Sequence, residues 1–524
     1  MALSAPVRPA PRAHAPGAGR RARITPLHVV AGLAALVAAV PLAYLVVRVS
    51  EVGWSRALDI AVSPRTGVLA LRSVGLAVAV ALACMVIGIA VAWLATRTDL
   101  PLRRAWLVVA ALPLAIPSYV HAYTWLAALP WLEGPIASWF VMVMACTPYV
   151  VLPVAAVLMR LDTGALDVAR TLGLGPFAAF RRAVVPQVLP AAAAGGLLVA
   201  LYTLSEFGVV SLLRFDTFTR VIFTSYRASF DRSTAAVLAL VLVVLALLFV
   251  LVERRIRGRH SRWSTDRGAP RDAVPMQLGA WRWPALALVA SLYSLAVLFP
   301  LVMLAVLLLR GRPGFDAAEW LAAIGSTIAA SGTGAVIALV LAVPIGVLAA
   351  RYRDRLTSSI ESVAFLGFAL PGVTVGLSLV FFGINVAPGL YQTLAMLGFG
   401  YAVLFLSTAI GAVRSAVAQV PPVLEDVGRT LGHGPVRTWT RITLPLVSPG
   451  VAAGALLVLL TAMKELPATL MLRPTGMDTL ATELWTRTTV AQFGEAAPYA
   501  VSLVLLAAVP ALVLARLAGR RQEQ

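Results

Sequence analysis

The chain has 524 residues, of which 60% are hydrophobic and 13% charged, with a mean hydropathy of +0.88. A soluble protein of this length needs far more polar surface, so the composition predicts a polytopic membrane protein. The net charge of +20 is almost wholly arginine, Lys464 being the only lysine, and falls in short loops and tails, which argues against a nucleic-acid partner and for arginine setting the membrane orientation.

Residues 1–26 are a Pro-, Arg- and Ala-rich tail, expected to be disordered and cytoplasmic. The apolar run that follows is long enough to span and shows no small-residue cleavage site, so it reads as a first membrane helix and not a removable signal. A helix needs roughly 20 apolar residues to cross the bilayer core. Twelve segments qualify: about 27–48, 70–95, 104–128, 136–160, 188–209, 234–252, 284–309, 323–350, 359–384, 391–415, 447–466 and 497–517.

Arginine clusters fall in the tail, at Arg97/Arg103/Arg104, in the Arg160–Arg182 loop and in the Arg254–Arg271 linker. They recur at Arg351/Arg353/Arg355, in the Arg414–Arg441 loop and at Arg516/Arg520/Arg521. All lie on one side if both termini are cytoplasmic, as expected for a multi-pass protein of a bacterial inner membrane. The opposite loops carry Arg214, Arg220, Arg227, Arg232, Arg473 and Arg487, most with Asp or Glu nearby.

The two halves are repeats. Arg170 aligns with Arg429, Gly173 with Gly432, Pro186 with Pro445, Glu206 with Glu465 and Arg214 with Arg473, all at an offset of 259. Nearly half the positions from Asp167 to Arg214 are identical to their partners. Earlier helices align at a smaller offset: Pro117 with Pro371, and Leu94-Ala95 with Leu348-Ala349. Six helices per half give both copies the same orientation, a parallel repeat about an axis along the membrane normal with the solute path between the halves. The expected fold is therefore an all-α polytopic membrane protein of about twelve transmembrane helices in two parallel six-helix repeats. The expected segments are a tail (1–26), a first repeat (27–252), a charged Pro/Gly-containing cytoplasmic linker (253–283) and a second repeat (284–524).

A polar loop occurs twice between apolar segments. The first copy is Asp167-Val168-Ala169-Arg170-Thr171-Leu172-Gly173, with Pro186 thirteen residues after the glycine. The second is Asp426-Val427-Gly428-Arg429-Thr430-Leu431-Gly432, with Ile442, Leu444 and Pro445 at matching spacing. Each runs from a short helix-compatible stretch (Leu166–Leu172; Leu424–Leu431) into a Gly-x-Gly-Pro break (Gly173, Gly175, Pro176; Gly432, Gly434, Pro435). A second amphipathic stretch leads to the proline. Glycine supplies the sharp turn and proline a rigid restart, so a helix–turn–helix along the membrane is expected, presenting acid and arginine to a partner.

These residues resemble the EAA loop of binding-protein-dependent ABC importer permeases, whose consensus is EAA-x3-G-x9-I-x-L-P. Copy two matches at Gly432, Ile442, Leu444 and Pro445, with Asp426-Val427-Gly428 for Glu-Ala-Ala. Copy one matches at Ala169, Gly173 and Pro186, with Asp167 for Glu, Ala183 for Ile and Val185 for Leu. The stretches Ser205–Arg220 and Lys464–Gly476 resemble, more narrowly, the fused permeases of ferric-iron importers. The resemblance implies a loop that docks into a cleft of a cytoplasmic ATPase, two copies of that ATPase, and a periplasmic or lipid-anchored solute-binding protein. Thiamine, phosphonate and related importers share the two-half architecture and remain alternatives.

A P-loop requires Gly-Lys-Ser/Thr, and Lys464 stands between Met463 and Glu465. The chain is thus expected to be a transport subunit and not an enzyme, to hold no cofactor itself, and to leave ATP to the partner. Glu206 and Glu465 lie about 20 residues beyond the loop prolines, roughly 30 Å up a helix, which places them near the outer interface. They read either as a carboxylate pair on the solute path or as helix-end charges paired with Arg214, Arg473 or Lys464. His121, among Tyr119, Tyr123 and Trp125, reads as a packed residue, and Cys84 and Cys146 as small core residues, so no metal site is expected. An ion-driven secondary transporter with six-plus-six repeats is the alternative of another class, but it needs mid-span coupling carboxylates, which the apolar spans lack.

Overall fold

A computed structural model describes residues 24–160, 171–173, 175–227, 232–260, 275–310, 315–352 and 354–520. Among them nine helices are long and apolar enough to cross a membrane, and two sharply bent helix pairs supply further spans. The closing helix, Phe493–Arg520, accounts for the twelfth predicted segment, with its apolar part at Phe493–Ala508. No strand occurs among the described residues beyond one isolated bridge between Thr98 and Met276.

Helix starts follow from local chemistry. Ser63 caps Pro64–Arg97 by accepting the Thr66 N–H, and Asp316 caps Ala317–Arg351 by accepting those of Ala318 and Glu319. The third span of each half, expected at 104–128 and 359–384, is broken far more sharply than a proline kink. In the first half, Arg103–Ala115 meets Ser118–Ala128 at 88°; in the second, Arg355–Gly367 meets Gly372–Asn385 at 96°. The cause is the aligned prolines. Steric clash with a proline ring drives the preceding residue out of the helical region, and Ile116 and Leu370 both sit at extended ψ values of 119° and 121°. Pro117 and Pro371 then serve as the N-caps of the next helices.

The fifth spans hold another shared device. Pro186 and Pro445 would each clash with the carbonyl four residues back, at Arg182 and Arg441. In both halves that carbonyl lies in a widened π-turn, Phe180–Val184 and Trp439–Thr443, and the helix continues as Val185–Ser205 and Leu444–Met463. The second amphipathic stretch of each loop is therefore not a separate helix ending at the proline. It is the first part of the membrane span.

The first helix of each half packs against the other half. Ala31, Ala34, Ala35 and Ala38 of Pro26–Val52 share a buried cluster with Ala335, Ala338 and Ala342 of Ala317–Arg351. Small side chains on both surfaces let the two backbones approach without a large apolar driving force. Reciprocally, Phe299 of the second half stacks on Trp125 of the first at 3.9 Å, and Tyr293 on Trp106 at 6.2 Å. The chain at the start of each exchanged helix docks on the opposite half as well, through main chain at Met276 and a side chain at His28. Met276 pairs with Arg97 and Asp99, while His28 faces Asp354 at 3.5 Å.

Candidate functional site

The second duplicated loop forms the helix Pro422–Thr430 and then turns back. Gly432 has φ +82°, a left-handed conformation that costs an L side chain about 1–2 kcal/mol. Its N–H bonds to Arg429 O, and the next, His433 N–H, to Gly428 O, so the last carbonyls of the helix are satisfied. Gly173, the matched residue of the first loop, has φ +81°. Asp167 and Ala169 lie outside the described residues, whereas Gly175, Pro186, Gly434 and Pro445 are all exposed.

Gly428 is buried against the span that follows. A Cβ built there would stand 2.6 Å from Ile442 Cδ1 and 3.2 Å from Thr438 Cγ2. A residue missed in the sequence, Glu425, ties this loop to the rest of the half. It accepts Arg351 at 2.6 Å and the Thr443 hydroxyl at 3.1 Å, and Arg351 also donates to Val420 O. A carboxylate at Glu425 was readable, but its partner Arg351 is 74 residues away in the chain. The opposite face is open. Val423, Val427 and Leu431, at four-residue spacing, are 65%, 49% and 73% exposed, beside the exposed Asp426 and Arg429. The surface offered is an apolar stripe edged with charge.

The other predicted pair, expected near the outer interface, is instead enclosed between the halves. Glu206 and Glu465 line one cavity of about 450 Å³ walled by both halves. Glu206 ends Val185–Ser205, and its carboxylate accepts Val209 N–H at 3.0 Å and the Ser118 hydroxyl at 2.9 Å. The Tyr202 hydroxyl donates in turn to Ser118. Glu465 follows Leu444–Met463, and its carboxylate accepts Leu466 N–H at 3.0 Å and Ala468 N–H at 2.9 Å. Each carboxylate thus holds the first turn of a short helix, Gly208–Leu212 or Pro467–Leu472, that walls the cavity. Backbone N–H groups at a helix start have no partner within the helix, so an acceptor there is strongly favoured.

The ion pairs expected as the alternative are not formed. Arg214 pairs with Glu133, Arg473 with Asp478, and Lys464 donates to Leu114 O of the other half at 2.9 Å. The repeat is also imperfect here. The position matched to Ser118 is Gly372, where a Cβ would stand 2.5 Å from Glu465 Oε1. His121 is fully buried, as are both cysteines. Among the described residues no group of three or more His, Cys, Asp or Glu could hold a metal ion.

Comparison with known proteins gives a consistent result. Residues 84–261 and 342–523 each match the family described as the binding-protein-dependent transport system inner membrane component. The chain is 35% identical over 482 residues to an Fe(3+)-transport system permease protein of Haemophilus influenzae, covering 91% of this chain and 95% of the relative. It is 28% identical over 255 residues to a sulfate transport system permease protein of Salmonella typhimurium, covering 43% of this chain and 89% of that one. A molybdate/tungstate transport system permease protein of Methanocaldococcus jannaschii is 26% identical over 195 residues, 35% of this chain and 78% of the relative.

Proposed function

This chain belongs to the family of binding-protein-dependent transport system inner membrane components, and from that premise we propose that it is the permease of an ATP-driven importer of ferric iron. The observation that carries the solute is the likeness to the Haemophilus influenzae Fe(3+) permease across nearly the whole of both chains. A separate cytoplasmic ATPase binds and hydrolyses the ATP, one copy under each duplicated loop, and a solute-binding protein delivers the cargo on the opposite face. Both termini are cytoplasmic, and the repeats span 27–252 and 284–524 with a cytoplasmic linker at 253–283.

The ATPase docks on the loops carrying Asp167, Ala169, Gly173, Gly175 and Pro186 in one half and Asp426, Gly432, Gly434 and Pro445 in the other, where the buried Gly428 lets the loop helix seat against Ile442 beneath the docking face. The exposed Val423, Val427 and Leu431 supply apolar area, and the left-handed glycine sets the angle between loop helix and span. Because the span begins in the loop without a break, a push on the loop is transmitted along Leu444–Met463 to Glu465. The path runs through the cavity between the halves, where Glu206 and Glu465 lower the cost of bringing a cation out of water.

The test is uptake in proteoliposomes containing this chain, with the ATPase and binding protein supplied. Ferric iron should accumulate only with ATP, and sulfate, molybdate, thiamine and phosphonate should not. Accumulation of one of those instead would move the solute and leave the importer. The chain alone should release no phosphate from ATP; hydrolysis by the rigorously purified permease would refute a separate engine.

A further inference from the structure

The two halves share their backbone devices, but a serine-lined wall crossed by an ion pair lies beyond the cavity in the second half only. In the second half a groove of about 440 Å³ runs between the Arg355–Ala364 segment and the Leu394–Ala418 helix. Four serines line it: Ser358, Ser362, Ser407 and Ser415. The Glu361–Arg414 ion pair crosses it, joining the two elements.

The groove follows the cavity along the same two stretches of chain, without a shared lining residue. Leu370, Gly372 and Thr408 line the cavity, and Phe365, Gly411 and Ser415 line the groove. Thr408, Gly411 and Ser415 are at i, i+3 and i+7 of one helix, hence on one face. Ser415 lies about 10 Å further along than Thr408, toward Pro422 and the second loop. Ser358 and Ser362 satisfy their hydroxyls on the carbonyls of Asp354 and Ser358. The Ser407 and Ser415 hydroxyls have no partner among the described residues, Ser415 being exposed and Ser407 buried at the groove wall. Hydroxyls without a partner, next to a charged pair, are unfavourable against hydrocarbon and natural beside water.

The first half has no such wall. At the offset of Pro117 and Pro371, the positions matched to Ser358, Glu361 and Ser362 are Arg104, Leu107 and Val108, so a charge is kept but the serines and the acid are not. On the facing helix the pairing can be read in two registers one turn apart. Both give apolar partners for Ser407, Arg414 and Ser415, namely Met144, Val151 and Leu152, or Pro148, Ala155 and Ala156; Arg160, the first arginine of the first loop as Arg414 is of the second, has Leu107 and no acid at the position of Glu361.

We propose that the solute leaves the central cavity toward the cytoplasm along the second half alone, through this serine-lined groove, with the Glu361–Arg414 pair as the contact that must open at its mouth. The groove takes a small hydrated or oxygen-coordinated solute, since hydroxyls replace water ligands and offer no apolar surface. Arg414 stands eight residues before Pro422, so movement of the second loop reaches the pair directly; ahead of the first loop Arg160 has no acid at the position of Glu361, which is Leu107. The inference rests on the reading of the central cavity as the path.

Single cysteines test it in the reconstituted complex with ATPase and ferric-iron-loaded binding protein. The native Cys84 and Cys146 are buried, and the parent chain measures their background. A charged, membrane-impermeant thiol reagent applied to the loop face should label Ser407→Cys and Ser415→Cys at least tenfold faster than Leu152→Cys and Ala156→Cys. Labelling Ser415→Cys should cut uptake severalfold. Equal labelling in both halves, or labelled Ser415→Cys with full uptake, overturns the one-sided exit. Thr408→Cys keeps the two readings apart: if its labelling blocks uptake while labelled Ser415→Cys transports normally, the central path stands and the exit falls. If labelled Thr408→Cys transports normally, the path itself is wrong.

Discussion

The two duplicated loops and the two cavity carboxylates show how one backbone is held by different side chains. Gly173 and Gly432 turn the chain at φ +81° and +82°, and both spans begin with a π-turn ahead of a proline. The contacts differ. In the second loop Gly428 gives way to the large Ile442; the matched positions in the first are Ala169 and Ala183. One methyl is gained on one side and a larger group lost on the other. At the cavity, Glu206 holds one backbone N–H and one serine hydroxyl, whereas Glu465 holds two backbone N–H groups because Gly372 leaves no room for a serine. Turn geometry is common to both copies because φ and the proline clash are properties of single residues. Packing partners drift because only their sum must fit.

The strongest way to break that comparison is at the carboxylates. Glu465→Ala should be the most damaging single change, since it leaves two buried N–H groups unpaired at about 1–3 kcal/mol each. Glu206→Ala should cost less, because only one backbone donor is stranded and Ser118 can turn away. Thermal unfolding of the detergent-solubilised protein would show the order; a larger loss at Glu206 would contradict the capping account. Glu206→Gln/Glu465→Gln keeps an acceptor at each site and removes the charge. Uptake per assembled complex should fall while stability holds, and unchanged uptake would leave the cation role without support.

The packing exchange comes next. Gly428→Ala should force Ile442 aside at about 1–3 kcal/mol and weaken ATPase co-purification. Adding Ile442→Ala should restore it, because the pair then has the first loop's composition. Failure of the second change to rescue the first would mean the small residue is needed for something other than Ile442.

Gly432→Val places a β-branched residue at positive φ, a conformation costing roughly 1–2 kcal/mol, and Gly173→Val should act equally. Each should lower coupled ATP hydrolysis without preventing insertion, and the two together should abolish uptake. A silent Gly173→Val beside a severe Gly432→Val would make the coupling one-sided. The smallest effect belongs to Arg429→Ala. Its pair with Asp426 at 3.4 Å is mostly exposed, so stability should change by about 0–1 kcal/mol, measured in the same unfolding assay.

Much of this was legible along the chain. Long apolar runs can only be satisfied as helices in lipid, so the spans and the all-α class follow from composition and period. The repeat, the loop glycines and the breaking prolines are local features, and each was found where its residue type demands it. The right-angle breaks at Pro117 and Pro371 were readable in kind but not in size, since a pre-proline residue is pushed out of the helix by an amount its neighbours decide.

What only the tertiary structure decided depends on partners distant in sequence. It exchanged the first helices between halves, because runs of alanine fit any close-packed partner equally well until the neighbours are in place. It joined Arg351 to Glu425 and Ser118 to Glu206, 74 and 88 residues apart. And it turned Glu206 and Glu465 from helix-end charges into the caps of two short helices facing one cavity. The sequence by itself determined which groups were charged, apolar or turn-forming, since those are properties of each residue. Which of them meet was set by packing, where geometry and desolvation select one partner from many of equal local merit.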